Sequence, residues 1–350
     1  MLDVVIITPI FEDTSAASQL MRTLAEVADT NDIGLHVVAV DDGSVAQPVS
    51  TNVLSDARIS GDVLTLRRNV GHQQALAIGL SHAANELPGA NCYLTMDSDG
   101  EDDPSAIPEL LTALASSANV DVAVARRRAR TEGIIFRGFY FVYRMLFVLL
   151  TGRTLRFGNF IAMSEAGLRR IVAMQETWIH LAASVLASRL RVRHVSVDRM
   201  PRFDGRSKMS FVSLAAHGFR SVMVFTEDVL VRVGVVCCAA AALSVVGMLT
   251  ALFLKFAGFA TPGWASTVLG LQLVIFLQTG AITLMLLMLS GVTKGNSAPS
   301  VDYRDLIERW HRVELKARSH GAESQFTIHE LRIGGRNRPG AAITPEEWAS

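Results

Sequence analysis

The chain has 350 residues, half of them hydrophobic, with 33 basic side chains against 33 acidic ones and three cysteines. The length allows one sizeable domain with additions; the balanced charge excludes the basic footprint of a nucleic-acid binder, and three cysteines exclude a disulfide framework. Mean hydropathy is positive, unusual for a purely soluble protein, and the apolar excess is concentrated in residues 229–254 and 264–289.

The start of the chain lacks the basic stretch and small-residue cleavage site of a signal peptide. Its first apolar run is strand-sized, so the N-terminal domain is expected to stay in the cytosol. Strand-like runs occur at 4–8, 35–41, 63–66, 92–97 and 120–125, and helical periodicity at 16–28, 73–84 and 107–115. This alternation predicts an α/β domain with a mainly parallel sheet flanked by helices. Residues 134–150 are aromatic and apolar with Arg137 and Arg144 interleaved. They read either as a core helix with two surface arginines or as an interfacial helix lying on a bilayer. Residues 209–228 have similar character, with His217 and Arg220 among apolar neighbours, and are expected to form a juxtamembrane amphipathic helix.

Each long apolar run exceeds the roughly 20 residues needed to cross a bilayer, which predicts a two-helix transmembrane hairpin over 229–290. Arg232 can snorkel to the interface, and Gln272, Gln278 and Thr279 are tolerable facing a partner helix. A buried hairpin in a larger soluble protein would need a bigger partner domain than this chain supplies. Arg193, Arg199, Arg202, Arg206, Lys208 and Arg220 precede the first run, and Lys294, Arg304, Arg309 and Arg312 follow the second. Basic flanks on both sides predict that the N-terminal domain and both termini are cytosolic, at the inner membrane of the cell. Gly234 and Gly247 permit close helix packing and hence a homo-oligomer. The tail, 291–350, is polar: 302–316 reads as a helix, 326–333 alternates like a strand, and 337–350 looks loose.

Ligands of parallel sheets bind beyond the carboxyl ends of the strands, and acidic clusters stand at three such ends: Glu12-Asp13, Asp41-Asp42-Gly43-Ser44 and Asp97-Ser98-Asp99. Dense negative charge at Asp97 and Asp99 is costly unless solvated or neutralised, and Mg²⁺ or Mn²⁺ suits one or two carboxylates completed by diphosphate oxygens. Glu101 and Asp102 read as a solvated loop, and Asp103 as the N-cap of a helix opened by Pro104. Asp41 could accept hydrogen bonds from a base or ribose, or simply close an Asx-turn.

The order of motifs resembles the inverting glycosyltransferase family 2, with its GT-A fold. More narrowly, it resembles the polyprenyl-phosphate sugar transferases of the dolichol-phosphate mannose synthase-like branch. The likeness covers about residues 4–210 and rests on Thr8-Pro9-Ile10-Phe11-Glu12-Asp13, Val40-Asp41-Asp42-Gly43-Ser44, Arg68-Asn69-Val70-Gly71-His72-Gln73-Gln74-Ala75, Asp97-Ser98-Asp99-Gly100-Glu101-Asp102-Asp103-Pro104, Gly158-Asn159-Phe160 and Arg202-Phe203-Asp204-Gly205-Arg206-Ser207-Lys208. The resemblance implies that Pro9, Glu12 and Asp41 line the nucleoside pocket and that Asn69 and Gly71 shape it. It implies that Asp97 and Asp99 are catalytic and hold the metal with the nucleotide-sugar diphosphate. Arg202, Ser207 and Lys208 match a segment that closes over phosphates, and Arg126 and Arg137 match positions for the acceptor phosphate. Glu12 stands where the family usually has Asn, Asp13 where it has Glu, and Asn159 where it often has Asp.

Together these readings predict a metal-dependent enzyme moving sugar from a nucleoside-diphosphate sugar, by analogy a UDP-sugar, to polyprenyl phosphate. A sugar hydroxyl needs a general base; a phosphate monoester is already charged, with its second pKa near about 6, and needs cations to position it. Transfer to a hydroxyl of a glycan or glycolipid, with His72 or His180 as base, is the alternative enzyme. A weakly active nucleotide-sugar-binding scaffold is the alternative from another class.

Overall fold

The computed structural model describes residues 2–116, 119–127, 134–198, 200, 202–203, 211–259, 261–295, 302–315 and 326–331. The elements in chain order are β1 (Leu2–Ile10), α1 (Thr14–Asn31), β2 (Ile33–Asp41), the single turn α2 (Asn52–Ser55), β3 (Ser60–Leu66), α3 (His72–Glu86), β4 (Cys92–Thr95), α4 (Ile107–Ala115), β5 (Val122–Arg127) and α5 (Ile134–Thr151). Then come β6 (Ile161–Met163), α6 (Glu165–Val172), α7 (Leu181–Ala187), β7 (Val192–Val197), α8 (Phe211–Met223), α9 (Thr226–Phe256), α10 (Trp264–Gly295), β8 (Ile307–Leu315) and β9 (Phe326–Leu331). They form two compact units. One comprises Met1–Gly133, Leu155–Val224 and Pro299–Ser350; the other comprises Ile134–Thr154 and Phe225–Ala298.

In the first unit the described strands make one nine-stranded sheet, β7-β5-β6-β4-β1-β2-β3-β8-β9. β4, β1, β2 and β3 pair in parallel, as do β5 and β7, while β6 and β8 run against the rest. This is the mainly parallel sheet of the GT-A fold. Side chains alternate across it, as the twofold period of a strand requires. Val4 and Ile6 join Leu20, Met21 and Leu24 of α1 and Leu110 of α4 on one face. Val5 and Ile7 join Leu76, Ile78 and Leu80 of α3 on the other. Strands buried on both faces explain the unbroken Val-Val-Ile-Ile run. Gly79 lets α3 lie close: a Cβ there would stand 2.5 Å from Ile7 Cγ2.

The segment 302–316, expected as a helix, is instead one 3₁₀ turn (Tyr303–Leu306) followed by β8. Its Ile307, Trp310 and Val313 recur every third residue, a helix-like spacing that would put Trp310 on the opposite face of a regular strand, so the local pattern pointed away from the observed structure. The decision lies in β3, where Asp62 is fully buried. Its carboxylate accepts from Arg312 Nε and Nη2 at 2.8 and 3.0 Å, and it contacts His82 Nε2 at 2.9 Å and His36 Nε2 at 3.5 Å. Burial alone would raise this carboxyl; His36, His82 and Arg312 together hold it far below the ordinary range. Only an extended strand beside β3 places Arg312 at that position, and pairing also covers the β3 edge. The strand expected near 326 is β9, paired with β8.

In the second unit, α9 opens with Glu227 and Asp228 and closes with Lys255, each favourable to the helix dipole. The helices Thr226–Phe256 and Trp264–Leu286 are long and apolar enough to cross a membrane. Most of their apolar side chains, among them Val235, Leu243, Phe253, Leu277 and Met285, are exposed, unlike those of a core helix in a soluble protein. α5 exposes Phe141, Met145 and Leu149 while burying Phe147, which meets Phe225 edge-on at 5.9 Å. Arg153 Nη2 lies 3.6 Å from Asp228 Oδ2 and its guanidinium covers the Phe225 ring at 4.9 Å.

Candidate active site

The site is built from the carboxyl ends of β1, β2 and β4 and the loops that follow. Asp42 N–H donates to Ile10 C=O at 2.9 Å, and Met96 N–H to Ile7 C=O at 3.2 Å, so the ends of β2 and β4 are both tied to β1, that of β4 three residues earlier along it. Asp41 is fully buried; its Oδ1 accepts from Ser44 N–H at 2.9 Å and its Oδ2 from Val49 N–H at 3.0 Å. Asp42 accepts from Val70 and Gly71 N–H at 2.7 and 2.9 Å. Burial still outweighs these bonds and raises its pKa. Gly43 has φ +71°, and a Cβ there would sit 2.6 Å from the Arg68 and Asn69 backbone, so only glycine allows the two loops to approach this closely.

Glu12 takes a left-handed φ of 48°, a conformation that Asn tolerates better than Glu. It is retained because its carboxylate accepts from the N–H groups of Val45, Ala46 and Gln47 at 2.7 to 3.1 Å. Pro9 is buried inside β1 opposite Val40. Glu12 and Asp41 therefore fasten the 43–49 loop through its backbone N–H groups, while Pro9 is packed within the sheet. Asn69 is exposed in the facing loop, and Gly71, at φ 90°, starts α3.

Asp97 and Asp99 leave β4 into this space, their side chains 27% and 22% exposed. Asp99 Oδ1 accepts from Glu101 N–H at 3.0 Å. Arg202, distant in sequence, lies on the same loop: its Nη2 is 3.1 Å from Asp99 Oδ2 and its Nε donates to Glu101 Oε1 at 2.8 Å. Two backbone bonds, Phe203 N–H to Asp99 C=O at 3.0 Å and Met200 N–H to Glu101 C=O at 3.3 Å, hold the segment there. His72 Nε2 stands 3.2 Å from Asp97 Oδ1. Burial raises the Asp99 pKa, and the Asp97 charge raises it further. Burial alone would lower His72, but the Asp97 carboxylate outweighs it and the net shift is upward.

These groups fit a divalent cation. The donors are hard carboxylate oxygens, two in number, with an excess of negative charge between them. Among the described residues no group of three His, Cys, Asp or Glu forms a complete protein cage, so substrate oxygens and water would complete the shell.

The solvated-loop reading of Glu101 and Asp102 is corrected. Glu101 is 9% exposed and paired with Arg202, and Asp102 is 6% exposed and accepts from Asp97 N–H at 3.1 Å. Glu101 is thus held by Arg202 and Asp102 by a backbone donor. Asp103 caps the turn that Pro104 opens, accepting from Ser105 N–H at 2.9 Å. Arg126 is exposed at the end of β5, opposite Ser196, and among the described residues no bond ties it to Asp97 or Asp99. Ser207, Lys208 and the Arg137 side chain lie outside the described residues. Glu101 as the Arg202 partner was missed; its adjacency to Asp99 was the available signal.

His180, expected to be a base only for a hydroxyl acceptor, is 4% exposed and caps α7. Its Nδ1 accepts from Ala183 N–H at 3.3 Å, so its Nε2–H points to His217 Nε2 at 3.2 Å. Burial first, then His217, pushes His180 down to about 3. The folded chain thus keeps the ring neutral, while the unfolded chain takes up a proton below about 6.5. Stability is full above that pH and falls as pH drops from about 6.5 toward about 3, by up to about 1.4 kcal/mol per pH unit. His180→Asn, which can also cap a helix, is expected to flatten the fall in melting temperature between about pH 6.5 and 4.5. An unchanged slope would assign it to other groups.

Residues 5–175 match the family model described as Glycosyl transferase family 2. The chain is 24% identical over 282 residues to the glycosyltransferase YkoT of Bacillus subtilis, covering 76% of this chain and 80% of that one. It is 23% identical over 217 residues to the undecaprenyl-phosphate 4-deoxy-4-formamido-L-arabinose transferase of Salmonella choleraesuis, covering 60% of this chain and 63% of the relative's length. Among solved structures, glucosyl-3-phosphoglycerate synthase from Mycobacterium tuberculosis, in complex with Mn²⁺, UDP-glucose and phosphoglyceric acid, aligns with a TM-score of 0.48 and 15% identity, covering 65% of this chain and 79% of that one. The sheet domain that carries Asp97 and Asp99 is a glycosyltransferase family 2 domain, and the chain is a glycosyltransferase.

Proposed function

We propose that the enzyme moves a sugar from a nucleoside-diphosphate sugar, with a UDP-sugar preferred, to polyprenyl phosphate, with inversion at the anomeric carbon. The observation that supports this most directly is the composition of the site around Asp97 and Asp99: Arg202 and His72 contact them, and a neutral amide, Asn159, stands 3.0 Å from His72. A phosphate acceptor needs such cations and donors and no base. The undecaprenyl-phosphate activity named for the Salmonella relatives points the same way.

Asp97 and Asp99 would hold Mg²⁺ or Mn²⁺, which when bound supplies charge neutralisation for the departing nucleoside diphosphate. The 43–49 and 68–71 loops, fastened by Glu12, Asp41 and Asp42, offer backbone and side-chain contacts to the nucleoside. An acceptor phosphate oxygen attacks the anomeric carbon from the face opposite the leaving diphosphate; one C–O bond forms as the other breaks. Arg202 is positioned to exchange its Asp99 and Glu101 contacts for phosphate oxygens. Arg202→Ala is expected to lower kcat/KM for the donor about 10- to 100-fold, the range for a lost hydrogen bond to a charged group, with Arg202→Lys restoring part of it. Unchanged donor kinetics would leave that segment a structural role only.

α9 and α10 are proposed to cross the inner membrane of the cell as a hairpin, with the catalytic domain and both termini cytosolic. β3 and β7, which precede the hairpin, and β8, which follows it, belong to one sheet, which supports an even number of crossings between them. The basic residues flanking the hairpin support the cytosolic side.

The test is to incubate the purified protein with labelled UDP-glucose, UDP-N-acetylglucosamine or GDP-mannose, undecaprenyl phosphate and Mn²⁺. Label is expected in an organic-extractable, mild-acid-labile product. Label appearing only in a water-soluble glycan would sink the lipid-phosphate acceptor.

A further inference from the structure

The segment that carries Arg202 is fastened to the Asp99–Glu101 loop without help from the arginine side chain. Phe203 N–H donates to Asp99 C=O at 3.0 Å and Met200 N–H to Glu101 C=O at 3.3 Å. The Phe203 ring lies against Gly100, which has φ +82°, and a Cβ at Gly100 would collide with that ring. Phe203 also packs on the buried cluster that includes Met96 and Ile107. The guanidinium can therefore change partners while the backbone around it stays fixed.

Its partners are the two carboxylates of the loop. Asp99 Oδ1 accepts from Glu101 N–H at 3.0 Å, and Asp99 Oδ2 faces Arg202 Nη2 at 3.1 Å, while Glu101 Oε1 accepts from Arg202 Nε at 2.8 Å. Burial alone would ease loss of the Arg202 proton, but the Glu101 bond and the charges of Asp99, Glu101 and Asp97 outweigh it and raise its pKa. A divalent cation about 2.1 Å from Asp99 Oδ2 would stand within about 5 Å of Arg202 Nη2. At that separation, in a partly buried site, the two positive charges repel strongly. A diphosphate changes the balance, because it offers the planar guanidinium paired oxygens. The Arg202 side chain, 25% exposed, is accessible to one.

We propose that Arg202 stands in for the divalent cation at Asp99 and Glu101 until the donor binds, then moves to the diphosphate, so that cation and nucleoside diphosphate bind with positive coupling. This rests on the nucleoside-diphosphate and metal reading of the site, and adds the residue through which the two ligands communicate. Arg202 on the carboxylates opposes the cation; Arg202 on the phosphates favours it. Each ligand biases the same side chain, so the effect is reciprocal. A fixed positive charge at this place would weaken cation binding and strengthen nucleotide binding by constant factors. It would add nothing to the coupling between them.

The test is calorimetric titration of the full chain in detergent with Mn²⁺ and with UDP, each alone and in the presence of the other, for wild type and Arg202→Met. Without UDP, Arg202→Met should bind Mn²⁺ about 10-fold more tightly than wild type, the low end for a lost hydrogen bond to a charged group. The factor by which UDP tightens Mn²⁺ binding should be about 10-fold smaller in the variant. Arg202→Lys, which keeps the charge but loses the paired Nε and Nη2 donors, should lie between the two in both quantities. It stands in if Arg202→Met does not fold. A coupling factor unchanged from wild type, even with tighter binding of Mn²⁺ alone, overturns the exchange and leaves Arg202 a fixed charge. Wild-type protein that binds neither Mn²⁺ nor UDP overturns the nucleotide and metal reading itself, and the exchange with it.

Discussion

Asp99→Asn is expected to abolish turnover, by at least about 100-fold, while leaving the folded state as stable as before or slightly more so. The loss follows from charge: a divalent cation held by this carboxylate would supply several kcal/mol to the transition state, and about 1.4 kcal/mol is one decade in rate. The preserved stability follows from the same charge seen in the resting enzyme. Burial and the neighbouring Asp97 raise the Asp99 pKa, so the fold bears the ionised form at a cost, only part of which Arg202 at 3.1 Å offsets. Asn keeps an oxygen for the Glu101 N–H. The measurement pairs steady-state transfer with thermal unfolding and Mn²⁺ titration. Turnover at the wild-type rate would remove the metal assignment; a large loss of stability would make Asp99 a structural residue.

Arg312→Ala is expected to destabilise the sheet domain by about 3–5 kcal/mol, the cost of leaving a buried charge without its partner. Asp62 is fully buried and takes two of its bonds from Arg312, and His82 and His36 cannot reproduce the paired guanidinium geometry. A double variant, Asp62→Asn with Arg312→Met, removes the charge together with its partner. It should recover most of the loss, because a buried ion pair replaced as a whole is often near neutral. Asp62 is held well below its ordinary pKa; its contribution is therefore present above about pH 4 and lost only in strong acid. Denaturant unfolding in detergent at neutral pH reads both variants. A change below about 1 kcal/mol for Arg312→Ala would mean that β8 merely decorates the edge.

The sheet domain was largely legible in the order of residues. Continuous apolar runs such as Val4 to Ile7 and Val37 to Val40 fit only strands covered on both faces, and the intervening helical periods give α1, α3 and α4. The exposed apolar faces of α9 and α10 agree with what their length and composition predict. Asp97 and Asp99 stood out for a similarly local reason, two carboxylates released together by a short buried strand. By contrast β6, α6, α7 and β7 were not assigned, because residues 151–198 mix short runs of both periods. Only neighbours in space, β4 against β6 and β5 against β7, select among them.

What this sequence determined by itself was whatever depends on neighbours along the chain: the strand and helix periods, the tight turn at Gly43, the cap at Asp103 and the acidic strand ends. Tertiary structure alone decided what those groups touch. Glu12 and Asp41 became fasteners of the 43–49 loop, Glu101 became a partner of Arg202, and residues 307–315 became a strand because a buried carboxylate in β3 needed a guanidinium. The reason is physical. Periodicity records which face of an element is apolar, whereas the partner of a buried charge or amide is chosen by desolvation, and that acts only once distant segments have been brought together.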